Sequence, residues 1–286
     1  TRTRALIHPV PFLPWSRLRC RSGKRRLDRP NRDGRMIDPR RSIIDQRLSS
    51  IGRIVAVTGG KGGIGKTLVS SALALALADS GRRCGLLDLD FTGPCAHLVL
   101  GVDQAFPEED AGILPQTVSG VGFMSIACFA GADPAPLRGI DMTNALIELL
   151  AITRWGELDT LVIDMPPGLG DMALDTVRLL PTAEYLVVAN GARLVTKTVE
   201  RSLSLLHRLG LPVCGIVENM SATSGQAAAT VSALATEYDT PMLGVLPYDE
   251  AIEDRLGSGS TLLHTRFGRA VRDLASLLSQ AGAGNR

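Results

Sequence analysis

The sequence predicts an α/β fold: one doubly wound, mostly parallel sheet over residues 51–280. Three observations predict it. Short aliphatic runs alternate with helical patterns along that span, which is how parallel strands joined by crossover helices read. The apolar fraction, 45% of 286 residues, is ample for a sheet buried on both faces. A glycine-rich turn at 59–65 joins the first strand run directly to the first helical run.

Taken in order, the strand runs are Ile54–Val57, Cys84–Leu87, Val121–Ile126, Thr160–Ile163, Tyr185–Val188, Val213–Val217 and Met242–Leu246. Helical patterns lie between most of them: Leu68–Asp79, Thr143–Ile152, Ala173–Leu180, Thr196–Leu209 and Ala227–Tyr238. No repeat interrupts 51–280, so one domain is expected, with 281–286 as a flexible tail. In such a sheet ligands sit beyond the carboxyl ends of the strands, where the glycine-rich turn already lies. Near the end, Phe267, Val271, Leu274 and Leu278 fall at i, i+4, i+7 and i+11, one face of a helix, with Arg266, Arg269 and Arg272 toward the other side. Such a helix either closes the fold by packing on the sheet or grips a membrane. Packing is the expectation, because the polar face is not densely basic.

No apolar stretch reaches the roughly 20 residues of a membrane-spanning helix. Cys20, Cys84, Cys95, Cys128 and Cys214 are scattered and odd in number, which suits a reducing compartment better than a disulfide framework. A cytoplasmic protein is expected. Charge is unevenly distributed: residues 1–35 hold 11 Lys/Arg against Asp28 and Asp33, so they carry +9 while the rest carries −7 of the overall +2. Residues 1–50 are expected to form a basic, disordered extension. Three readings of 1–35 stay open: sequence upstream of a start at Met36, an Arg-rich targeting peptide, or a basic tail for nucleic acid or anionic lipid.

Gly60 to Thr67 fits G-x-x-x-x-G-K-[ST], with a strand before it and a helix after it. The spacing has a physical reason. Gly60, Gly63 and Gly65 let backbone N–H groups turn inward around the β- and γ-phosphates, where side chains would clash. With Gly62, Ile64 and Leu68 they are the candidate nucleotide-binding residues, and the helix N-terminus adds partial positive charge. Lys66 supplies a point charge to the terminal phosphates, and the Thr67 hydroxyl is a candidate Mg²⁺ ligand. ATP and Mg²⁺ are the expected cofactors. Asp88 and Asp90 follow the second strand run, two carboxylates facing the same side at the carboxyl edge. Asp88 is read as orienting the attacking water and Asp90 as supporting the Mg²⁺ shell or the Lys61 contact. Asp164 closes the strand run Thr160–Ile163, where a carboxylate holds Mg²⁺ through water. Pro166 and Pro167 force a rigid turn from which the Gly168 N–H can approach the γ-phosphate.

The ordinary motif does not need Lys61. With that lysine, the chain resembles the deviant phosphate-loop ATPases of the MinD, ParA and Mrp type. The resemblance implies an ATP-dependent homodimer in which Lys61 acts on the partner's nucleotide. Other strings are similar to the Mrp branch: Thr92-Gly-Pro through Gly101, Trp155-Gly-Glu-Leu-Asp159, Asp164-Met-Pro-Pro-Gly168, and Val217-Glu-Asn-Met220. They imply Asn219 against the adenine edge, where an amide donates and accepts at once, and Pro247 in a loop closing over the base. They also imply slow ATP hydrolysis driving a binding cycle in iron–sulfur cluster assembly or transfer.

Three departures matter. Cys95 stands where serine is usual. Ala189–Arg193 differs from the family's Thr-Thr-Pro-Gln near the dimer face. No Cys-x-x-Cys occurs anywhere in the chain, whereas Mrp-type carriers hold one after Val-Glu-Asn-Met; clusters need thiolates, so this counts against a bound iron–sulfur cluster. Two functions therefore stay open beside a purely regulatory ATP-binding module: a cluster carrier or assembly factor, and a positioning or partitioning ATPase acting on membrane or nucleoid. The client protein is not legible.

Overall fold

The computed structural model describes residues 38–102, 106–130, 139–168, 170–221 and 226–283. The basic segment through Met36, Arg138 and residues 284–286 lie outside them. Eight strands form one sheet: β1 (Ile54–Gly59), β2 (Cys84–Asp88), β3 (Gln116–Val118), β4 (Val121–Ser125), β5 (Thr160–Asp164), β6 (Glu184–Ala189), β7 (Val213–Ser221) and β8 (Met242–Pro247). Their order is β3-β4-β2-β5-β1-β6-β7-β8. All pairings are parallel except the edge pair β3–β4. The α/β expectation holds, and each of the seven expected strands is present.

β1, β2 and β5 are buried along their whole length, which is why each reads apolar on both faces. β1 lies between β5 and β6, so the loop that leaves it emerges in the middle of the sheet. α1 (Arg40–Leu48) precedes it. α2 (Lys66–Asp79) follows; from Val69 to Leu77 every residue is buried, so this helix is apolar all round rather than striped. It packs on β1, β2 and β5 with α9 (Arg266–Ala283) beside it. α9 buries Phe267, Val271, Leu274, Ala275 and Leu278. Its apolar face is thus occupied within the fold, as the packing expectation required. Arg53 at the start of β1 pairs with Glu184 of β6 at 2.6 Å and donates to the Leu278 carbonyl of α9. Between these come α3 (Ala96–Leu100), α4 (Ala127–Ala130), α5 (Ile140–Ile152), α6 (Asp171–Leu179), α7 (Arg193–Arg208) and α8 (Gln226–Glu237). α7 packs on β6 and β1, and α8 lies against it. Among the described residues no helix is long and apolar enough to cross a membrane.

β3, α1 and the short helices α3 and α4 were not expected. β3 is three residues long, and it reaches β4 through Ser119 (φ 48°) and Gly120 (φ 80°), a two-residue turn with both residues left-handed. Such turns match strand twist, but three residues after Pro115 are too few for a visible period. α1 falls inside the stretch 1–50 that composition marks as disordered. It is held by tertiary contacts rather than by a stripe: Ile44 is fully buried, Arg40 Nη2 donates to Asn144 Oδ1 at 3.2 Å, and Arg47 Nε donates to the Ala151 carbonyl at 3.3 Å on α5.

Candidate nucleotide site

The glycine-rich loop runs from the carboxyl end of β1 to the first turn of α2. Two glycines are required by geometry. Gly65 has φ 82°, and a Cβ there would strike the Asn219 amide. A Cβ at Gly60 would overlap the backbone of Thr198 and Val199 in α7. The loop is therefore pinned from two sides, by α7 beneath Gly60 and by β7 beneath Gly65. Asn219 Nδ2 donates to the Ile64 carbonyl at 2.9 Å, with both residues buried, which fixes the middle of the loop from a strand 155 residues further on. Gly60→Ala is expected to destabilise the fold by about 3 kcal/mol, because the obstructing atoms are helix backbone and cannot rotate away. A thermal melt checks it: a fall of less than roughly 2 °C would mean that α7 gives way.

Lys66 is 7% exposed and reaches back to donate to the Lys61 carbonyl at 3.4 Å. Burial lowers its pKa, opposed by the charges of Asp164, Asp90 and Cys95. Lys61 itself, with Gly62 and Gly63, is exposed at the crown of the loop. Leu68 is half-buried on α2.

The carboxylates meet the loop from the neighbouring strands. Asp88 and Asp164 are register partners at the carboxyl ends of β2 and β5, and Val57 pairs with Asp164 on the other side. Asp88 is fully buried; its Oδ1 accepts from the Asp90 N–H at 3.0 Å and its Oδ2 from the Ala96 N–H at 3.3 Å. Burial, and then the Asp164 charge, push its pKa up to about 8. Asp164 is 1% exposed and neither of its oxygens has a hydrogen-bond partner. The Thr67 and Ser70 hydroxyls lie near enough to favour its charged form, but Ser70 Oγ donates instead to the Thr67 carbonyl at 3.0 Å. Desolvation prevails, and its pKa rises to about 6. A buried, unpartnered carboxylate beside a loop threonine is a donor set suited to a hard cation.

Asp90 accepts from the Thr92 hydroxyl at 2.6 Å and the Gly93 N–H at 3.1 Å, capping its own turn at the rim. Gly168 has φ 76° in the turn after β5. Pro247 pairs with Ser221 across β8 and β7, beside Asn219 and Met220. The structure thus gathers Lys66, Thr67, Asp88, Asp90 and Asp164 under one loop. Sequence reasoning missed Ser70 and the supporting role of α7. It noticed Cys95 as a departure; the structure places that residue half-buried at the start of α3, next to the Ala96 N–H that donates to Asp88 Oδ2. Its place directly after the Asp88–Asp90 strand end was the available signal.

A doubly wound sheet whose central strand runs through G-x-x-x-x-G-K-T into a buried helix, with carboxylates ending the two strands on one side, defines the P-loop NTPase class. A sequence model described as ParA: NUBPL iron-transfer P-loop NTPase matches residues 50–280, and the chain belongs to that family. An iron–sulfur cluster carrier protein of Pseudomonas fragi is 34% identical over 226 residues, spanning 74% of this chain and 78% of its own length. One from Saccharolobus solfataricus is 33% identical over 249 residues, spanning 81% and 84%. Among solved structures, a nucleotide-binding protein of Archaeoglobus fulgidus in complex with ADP aligns with TM-score 0.66 at 29% identity, covering 78% of this chain and 92% of that one. The cell division ATPase MinD of Pyrococcus furiosus shares the fold, with TM-score 0.60 at 24% identity over 80% and 99%.

Proposed function

We propose that the chain is a Mg²⁺-dependent, ATP-hydrolysing dimeric switch serving iron–sulfur cluster assembly or transfer. The observation that carries the reading is the convergence of buried Lys66, unpartnered Asp164 and buried Asp88 beneath a pinned phosphate loop. Loop N–H groups and Lys66 hold the phosphates. Thr67 and Asp164 hold the cation, which when bound neutralises charge on the transferring phosphoryl group. Asp88 orients the attacking water, Asp90 supports the same edge, and Gly168 senses the γ-phosphate. Asn219 and Pro247 flank the base. Lys61, exposed at the crown, reaches the partner's nucleotide.

A dimer through this face is supported by its surface. Leu98 of α3, Ile140 and Leu194 at the starts of α5 and α7, Met220 near the end of β7 and Tyr248 after β8 are 40–75% exposed. These positions belong to the carboxyl edge, where the loop lies. ATP is expected to convert monomer to dimer in size-exclusion chromatography with light scattering. Lys61→Ala is expected to abolish that shift and lower phosphate release by about tenfold or more. A Lys61→Ala protein that dimerises and turns over normally would remove the trans role.

The iron-transfer family and the two carrier relatives support the cluster pathway. The described residues do not fit a cluster held within one subunit. Among the described residues no three His, Cys, Asp or Glu side chains converge on a metal position, and burial pushes the Cys84 and Cys214 thiols up to about 12. We assign no cluster-bound step to these side chains. Of the features that favoured a positioning ATPase on membrane, the C-terminal helix has its apolar face inside the core.

A further inference from the structure

We infer that Met220 is the side chain that packs on the face of the nucleotide's base, while Asn219 meets its edge. The inference rests on the nucleotide reading and deepens it. Along a regular strand, successive side chains point to opposite faces of the sheet. Asn219 and Met220 break that alternation. A Cβ at Gly65 would strike the Asn219 amide and would also lie 3.3 Å from the Met220 methyl, so two consecutive residues converge on one point of the phosphate loop. The ladder shows how. Glu218 is in register with Val245 and Ser221 with Pro247, so β7 takes three steps where β8 takes two. The extra residue makes a β-bulge, which bends a strand and re-aims a side chain. Met220 takes the bend, with a left-handed φ of 54°. Beyond it the strand is held again, where the Tyr248 N–H donates to the Ser221 carbonyl at 3.1 Å.

The bend has a cost. A left-handed backbone crowds any residue with a Cβ, and such outliers gather where a ligand is clamped. The Met220 side chain gains little from the chain in return: it is 40% exposed, and its methyl rests on the loop at Gly65. Asn219 is 1% exposed and fixed by its bond to the Ile64 carbonyl. The bulge thus presents a held amide and, beside it, an unbranched thioether that stands partly free next to the Pro247 end of β8. A polarisable thioether packs well on an aromatic face, and every nucleobase has such a face. The ligand class is the planar base of a nucleoside di- or triphosphate whose phosphates lie in the loop.

Methyl NMR tests this on the full chain, with isotope-labelled methionine methyls and Mg²⁺–ADP as the probe. The Met220 signal is the one missing from the Met220→Leu spectrum. ADP is expected to move it upfield, because a methyl over an aromatic face is shielded by the ring current, and inorganic pyrophosphate, which has no base, should not reproduce the shift. Met220→Ser should bind ADP about tenfold or more weakly than wild type. Met220→Gly accepts the left-handed backbone without strain, so it should melt within a few degrees of wild type and still bind ADP as weakly as Met220→Ser. A Met220 methyl that stays in place when ADP binds, or that pyrophosphate moves equally, overturns the inference, as does a Met220→Ser or Met220→Gly protein that binds ADP as tightly as wild type. Wild type that binds no ADP removes the nucleotide reading itself, and this inference with it.

Discussion

Lys66→Ala is expected to weaken ATP and ADP binding by roughly a hundredfold or more, about 3 kcal/mol, and to bring phosphate release to background. The size follows from burial. A lysine 7% exposed has already lost most of its water, and its pKa is lowered for that reason. Its interaction with a polyphosphate is therefore poorly screened, unlike that of a surface lysine. The side chain also braces the loop through the Lys61 carbonyl, so truncation removes the charge and slackens the cradle together. Titration with a fluorescent nucleotide measures the first effect, and a phosphate-release assay the second. A Lys66→Ala protein that binds nucleotide within about threefold of wild type would mean that the phosphates lie elsewhere.

The second large effect is on pH. Free of nucleotide and metal, the protein is expected to lose about 2–4 kcal/mol of stability as pH rises from roughly 5 to 8. The sign follows from the two aspartates. Burial and mutual repulsion raise Asp88 from 3.8 to about 8, and burial raises Asp164 from 3.8 to about 6. The native state then holds these protons more tightly than the unfolded chain does. The stabilisation is complete below the unfolded value near 3.8 and disappears as pH climbs through the two native values. Asp88→Asn removes the larger of the two contributions, so its thermal melts should change less across that window and keep only the Asp164 part. It also gives up one of two backbone N–H acceptors, a cost of about 1 kcal/mol that pH does not alter. Phosphate release should fall by about two orders of magnitude or more. Melts of both proteins in chelator, from pH 5 to 8.5, decide the matter. An equal slope in wild type and Asp88→Asn would show that the pair is not the titrating element.

Much of the fold was readable because a buried parallel sheet writes itself plainly. Strands covered on both faces become short runs such as Ile54–Val57, and the intervening helices restore a longer period. The phosphate loop was legible for a related reason: its chemistry is local, with glycines, lysine and threonine contiguous in the chain. Asp88 and Asp164 were legible singly, as carboxylates at strand ends. That they are direct register partners depends on β5 returning to lie between β1 and β2. No local pattern encodes that return.

The sequence by itself determined the class of site and the side chains that carry its charge, since those depend on residue type and short spacing. Only the tertiary structure decided what holds them. Packing between distant elements put the Asn219 amide on the Ile64 carbonyl, set the α7 backbone under Gly60, and folded Arg40–Leu48 against α5. Each of these contacts joins residues far apart in the chain, and its energy exists only once both partners have been brought into one core.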